Sequence, residues 1–217
     1  MYIDRLPARQ SARAQPPAVR AFYVVDGALR AHAGAAAASL AANSAWFSTT
    51  ELQMSSGSFA ATVLRWELVA RGAPAAPLIG PDIGSELALA APVSFPRPGE
   101  YLLRGDRVDF PPGGEALPHT HQGPGIRCLL FGAIRIETGG TAHEYAPLRP
   151  WFEAGPQTVY AAASAHEATA FARVMILPAA LRGQSSILYV RPEDASRPKS
   201  QAYQVFLDEP IALPAAP

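Results

Sequence analysis

Apolar residues in this chain come in short runs, cut every few positions by Gly, Pro, Asn or Ser. The stretch SFAATVLRWELVARG, from residue 58, is rich in β-branched and aromatic residues between turn formers and predicts a strand or bent hairpin. APAAPLIGPDIGSELALAAPVSFPRPGEY follows, with Pro and Gly so frequent that long helices are forbidden and only short strands are allowed. Between residues 101 and 190 the runs YLLRGDRVDF, IRCLLFGAIRIET, TAHEYAP, QTVYAAA, TAFARVMILP and SSILYV repeat one design, a short β-like segment closed by a turn. No helix-length segment separates them, which predicts an all-β chain built as an antiparallel sandwich or barrel. AYQVFL, near the end, adds one more strand.

The first part of the chain reads differently. MYIDRLPARQSARAQPPAVR lacks apolar periodicity and predicts an arm, mobile or draped over a neighbour. The alanine excess of ALRAHAGAAAASLAANSAWF gives a helix expectation, and the segment is too polar and too late to be a signal peptide. The expected division is therefore an N-terminal arm and extension over 1–57, partly irregular or helical. A barrel domain with flanking strands follows over 58–213, with its core in 101–180. The two halves share no visible repeat, so a single barrel is expected. TVLRWELV and AYQVFL are left as spare edge strands whose pairing across a second subunit would give a homodimer.

Composition narrows the partners. With 217 residues and 49% apolar content, the chain can bury a substantial core. Its 18 basic and 18 acidic residues balance, which removes the electrostatic case for nucleic acid or an anionic membrane and points to a small-molecule partner. The lone Cys128 excludes an internal disulfide or a thiolate-rich zinc site. It suits a reducing compartment, and the cytoplasm is expected.

The five histidines hold the most specific pattern. His119 and His121 stand at i and i+2 in PHTHQGPGI, so on an extended strand both rings face one side with Thr120 opposite. Two imidazoles on one face can share a metal. Around them GGEALPHTHQGPGIRCLLFG places Gly113 before His119 with five residues between them, and Gly132 eleven positions after His121. This spacing resembles the first motif of the cupin superfamily, G-x5-H-x-H-x(3,4)-E-x6-G. GPQTVYAAASAHEATA supplies Gly155 and His166 at the separation of eleven found in the second motif, G-x5-P-x-G-x2-H-x3-N. The likeness spans roughly 101–180 and is partial. Gly125 or Ile126 stands where the family has glutamate, and Ala161, Ala163 and Ala170 stand at the proline, glycine and asparagine positions.

The resemblance implies a jelly-roll barrel, the cupin double-stranded β-helix, whose interior holds one divalent metal on His119, His121 and His166. Such a three-imidazole face leaves open positions and keeps the ion's full charge, which favours anionic substrates or bound oxygen species. Some cupin-like thiol dioxygenases use it with ferrous iron. Iron is therefore the favoured ion, with zinc, nickel, copper or manganese as alternatives.

Three neighbours are candidates to complete a catalytic site. Arg127 faces inward if strand parity survives the GPG turn, and would clamp a substrate carboxylate. Glu115, just before the histidine strand, would serve as a base or substitute ligand. Tyr160, six residues before His166, would offer its phenol from the same face. Gln122 is expected outward, His143 in an exposed turn, Cys128 as a small buried hydrophobe, and Trp66, Trp151 and Phe152 as packing groups. Two functions stay open: a metal-dependent small-molecule enzyme of dioxygenase type taking a small anion, and a non-catalytic small-ligand-binding or sensor cupin, or a degenerate cupin without metal.

Overall fold

The computed structural model of the chain describes residues 1–95 and 99–213; Pro96, Arg97 and Pro98 of the Pro-rich stretch lie outside the described residues. The alternating pattern resolves into antiparallel strands in two compact units, Met1–Pro92 with Ile211 onward, and Val93–Pro210.

The first unit runs β1 Tyr2–Leu6, β2 Val19–Asp26, β3 Ala28–Ala33, β4 Ala36–Ala41, β5 Ser44–Ser48, β6 Leu52–Ser56, β7 Ala61–Leu68 and β8 Gly84–Leu87. Its sheets are ordered β5-β2-β7-β1-β8 and β4-β3-β6. The second unit runs β9 Tyr101–Phe110, β10 Glu115–His121, β11 Gly125–Phe131, β12 Ile134–Thr138, β13 Thr141–Tyr145, β14 Pro150–Glu153, β15 Val159–Ala163, β16 Thr169–Pro178, β17 Ile187–Tyr189 and β18 Ala202–Ile211. Its sheets are ordered β14-β11-β16-β9-β18 and β13-β12-β15-β10-β17. In the second unit β9 to β16 are the eight strands of a jelly roll, and the two five-stranded sheets face each other across the core.

The expectation of one barrel behind an arm is corrected. The sheet order of the first unit repeats that of the second strand for strand: β5-β2-β7-β1-β8 matches β14-β11-β16-β9-β18, and β4-β3-β6 matches β13-β12-β15. Where the second unit has β10, the first has residues 11–15, bridged to β6 at Ser11↔Ser55 and Gln15↔Leu52. The two interiors keep the same topology with different side chains, which is why no repeat is legible by eye. Arg127 on β11 pairs with Arg173 and Trp151, while Phe22 on β2 occupies the corresponding place beside Arg65 and Trp46.

The alanine-rich stretch expected as helix is β3, β4 and β5. Leu29, Ala31 and Ala33 are buried while Arg30 and His32 are exposed, so period-two alternation outweighs alanine's helical propensity. The expected arm carries β1 and the start of β2, and Tyr2, Ile3 and Leu6 are buried. TVLRWELV is not a spare edge: β7 is paired on both sides by β1 and β2. AYQVFL does lie at an edge, in β18.

Each unit has its own core. In the first it gathers Leu6, Phe22, Val24, Leu29, Leu52, Met54 and Val63. Beyond it, the charges in Asp4, Arg20, Arg65 and Glu67 neutralise one another: Arg65 Nε meets Asp4 Oδ2 at 2.6 Å, and Arg20 Nε meets Glu67 Oε1 at 2.6 Å. In the second, Val108, Phe110, Leu129, Ile134, Ile136, Trp151, Val159 and Phe171 pack one half of the barrel, and the other half is polar.

Candidate functional site

The polar half of the second barrel is built by residues whose alternation turns them inward. On β10, Ala116, His119 and His121 are buried. On β11, Arg127 and Leu129 are buried, and on β14, Trp151 and Glu153. Arg173 projects from β16 in register with Arg127. These groups surround a cavity of about 340 Å³, counting its open mouth, which Ile187 and Tyr203 also line.

The histidines meet as their spacing predicts. His119 Nε2 lies 3.3 Å from His121 Nε2, with the rings edge to face. The carbonyl of Leu117 can only accept, so His119 Nδ1 at 2.7 Å must donate to it. In the neutral ring this leaves the Nε2 lone pair aimed into the barrel, the tautomer a metal ligand requires. Burial holds both rings neutral, with His119 below the usual histidine range and His121 at about 3. The backbone supports the pair through Gly155. Its φ of +115° suits glycine, its carbonyl accepts the His121 N–H at 2.8 Å, and a side chain there would press on Gly123.

Glu153 supplies the carboxylate. Its Oε1 accepts from Trp151 Nε1 at 2.8 Å, and its Oε2 stands 3.3 Å from His121 Nε2 and 2.8 Å from Arg127 Nη2. Burial alone would raise its pKa; the Arg127 charge and the His121 contact override that and keep it ionised, well below the usual carboxylate range. Burial lowers Arg127 to about 10, still charged at neutral pH. Neither Glu153 Oε2 nor Arg127 Nη2 has a hydrogen bond, although both are buried, so their approach is an ion pair off the line of one. Arg127 Nη1 donates to the Gly125 carbonyl at 2.6 Å. Arg173 is tied to Asp106 by two bonds of 2.6 and 3.1 Å, and the Tyr203 ring lies beside its guanidinium at 5.6 Å.

Gly125 explains the missing motif glutamate. A Cβ there would come within 2.6 Å of the Val174 carbonyl and 2.7 Å of Met175, so no side chain fits. Glu153 is the direct register partner of Gly125 on the adjacent strand. A carboxylate from β14 thus enters the row that a glutamate on β11 would have served.

Other expected site residues lie elsewhere. His166 is exposed in the turn between β15 and β16, its N–H on Ser164 Oγ at 3.2 Å. The match of Gly155 and His166 is a coincidence of count: Gly155 opens the turn after β14, and the whole of β15 intervenes. The residue of β15 level with His119 is Val159, so no third imidazole faces the pair. Glu115 and Tyr160 point away from the interior, because their neighbours Ala116, Val159 and Ala161 fill the core. They bond each other at 2.7 Å, and that bond raises Tyr160 to about 12. His143 is exposed on β13. Among the described residues, no group of three or more His, Cys, Asp or Glu side chains has the spacing of a preformed metal centre. The site is a histidine pair beside a carboxylate that an arginine holds.

Glu153, Arg173, Asp106 and Tyr203 escaped the sequence reading. A signal existed for the first two: WFE sets Trp151 and Glu153 two apart before a glycine, and TAFARVMILP carries one charge in an apolar strand.

No protein-family model and no curated protein sequence matches the chain. Solved structures do. AerE from Microcystis aeruginosa is 12% identical, with a TM-score of 0.61 over 81% of this chain and 87% of its own. A variant of Bacillus subtilis oxalate decarboxylase is 12% identical, with a TM-score of 0.62 over 89% and 71%. Ylba from E. coli is 12% identical, with a TM-score of 0.54 over 81% and 76%. At such identities the likeness is one of fold. Together with the jelly-roll strand order, it establishes that this chain has the cupin fold.

Proposed function

We propose that the second barrel holds one divalent cation on His119 Nε2 and His121 Nε2, with Glu153 as the oxygen donor, and that the protein is a metal-dependent cupin for a small molecule. The observation that carries this is the buried, unbonded Oε2 of Glu153, 3.3 Å from an imidazole Nε2. Arg127 offsets the charge on this oxygen at 2.8 Å but gives it no aligned hydrogen bond, so its lone pairs are left for a cation to take up. Two imidazoles and a carboxylate suit iron(II), and manganese or zinc after it; the set differs from the three-histidine set implied by the family motifs. One solved relative by fold, Bacillus subtilis oxalate decarboxylase, is described as having Mn(II) centres, at 11% identity and a TM-score of 0.64.

When bound, such an ion acts as a Lewis acid on a coordinated small molecule or water. The chain's own residues do the rest. Leu117 fixes the His119 tautomer, Trp151 orients Glu153, and the apolar half of the barrel limits water. A second reading, a ligand-binding cupin without metal, is favoured by one observation: Arg127 already sits 2.8 Å from the oxygen that the cation would take.

Metal analysis of untagged protein separates the two. About one equivalent of a transition metal per chain, lost in His121→Ala, supports the first reading. Protein that purifies without metal, and whose melting temperature does not move with added Fe2+, Mn2+ or Zn2+, supports the second.

A further inference from the structure

We infer that the ligand of this site is a small carboxylate held by Arg127 and Arg173. The inference rests on the metal reading for its charge balance and on the arginines for its recognition. Two guanidiniums line the same small cavity from paired positions on neighbouring strands, Arg127↔Arg173. Arg127 Nη2 is buried and, although 2.8 Å from Glu153 Oε2, makes no aligned hydrogen bond, so an N–H is left for another acceptor. A buried N–H without an acceptor is costly, and a carboxylate oxygen is the acceptor a guanidinium matches best.

Charge points the same way. Arg127 and Arg173 are offset by Glu153 and Asp106, which leaves the row neutral. A divalent cation drawing on Glu153 would leave that row in positive excess, in a barrel half with no other acid lining it. An anion of one or two charges restores neutrality and frees Arg127 from Glu153. Tyr203, against Arg173 and held by Gln201 Nε2 at 3.0 Å, is the side chain over which it would enter.

The test uses the full-length untagged protein, with malonate as probe and malonamide as its uncharged counterpart. Binding is read by tryptophan emission, since Trp151 lines the cavity. Malonate should bind saturably and about 10–100-fold more tightly than malonamide, the range expected for charge-assisted bonds. In Arg127→Lys, which keeps the charge and loses the fork, malonate should weaken by about tenfold while malonamide is unchanged. Equal binding of malonate and malonamide, or no binding of either, overturns the inference. Mn2+ uptake measured on the same sample keeps the two readings apart. Uptake of Mn2+ without malonate binding sinks the ligand class alone; malonate binding to protein that takes up no Mn2+ sinks the metal reading and leaves the ligand class standing.

Discussion

Replacing Arg127 with Met isolates what the arginine does for Glu153. The guanidinium is 1% exposed and the carboxylate 7%, with 2.8 Å between Nη2 and Oε2. At an effective dielectric constant of about 20 their attraction is about 6 kcal/mol, before the desolvation of either group is counted. Removing one partner of such a buried pair typically costs about 3–5 kcal/mol. Trp151 would still donate to Oε1 at 2.8 Å, so the lower half of that range is expected here. With a urea slope of about 2 kcal/mol/M, the second unit's unfolding midpoint should fall by about 1.5–2 M at pH 8. Burial, no longer opposed by Arg127, would then raise Glu153. A carboxyl raised in the folded state binds more protons folded than unfolded, so the variant regains stability as pH drops through the raised value. In the wild type Glu153 is depressed, and its contribution is lost only as pH falls below the unfolded value of about 4.3. The gap between the two proteins should therefore narrow from pH 8 to pH 5. Arg127→Met with Glu153→Gln should recover most of the loss. A single-variant cost under about 1 kcal/mol, or a gap equal at both pH values, would refute the ion-pair account.

Gly125→Ala should destabilise the second unit by about 1–3 kcal/mol, since its Cβ would meet the Val174 carbonyl at 2.6 Å; urea unfolding checks this. His166→Ala should leave metal content and thermal stability unchanged, within about 0.5 kcal/mol, because the ring is exposed. Tyr160→Phe removes a bond outside the barrel, so it should take the highest-pH tyrosine step out of the ultraviolet titration and leave malonate affinity as it was.

Several features were legible before any coordinates. The all-β class followed from turn formers at close spacing, and the proximity of His119 and His121 followed from strand alternation alone. Arg127 was inward only if strand parity survived the GPG turn, and it is buried. His166 shows where counting fails: a motif separation is a number of residues, and a whole strand fits inside it. The duplicated barrel was hidden because the first unit keeps the sheet order while its interior is filled by Phe22, Val24 and Leu29. Gln15 occupies the place level with Leu52 that His119 holds level with Val159, so no histidine marks the repeat. Glu153 was missed because its role depends on pairing with Gly125 across strands nearly thirty residues apart, which only register reveals.

Crystals of untagged protein soaked in Mn2+ and measured on the low-energy side of the metal edge and above it would locate any bound ion. The expected result is one anomalous peak within about 2.0–2.3 Å of His119 Nε2 and His121 Nε2, with Glu153 turned from Arg127 toward it. An empty map at that pair in crystals that carry the peak at His32, His143 or His166 would contradict it.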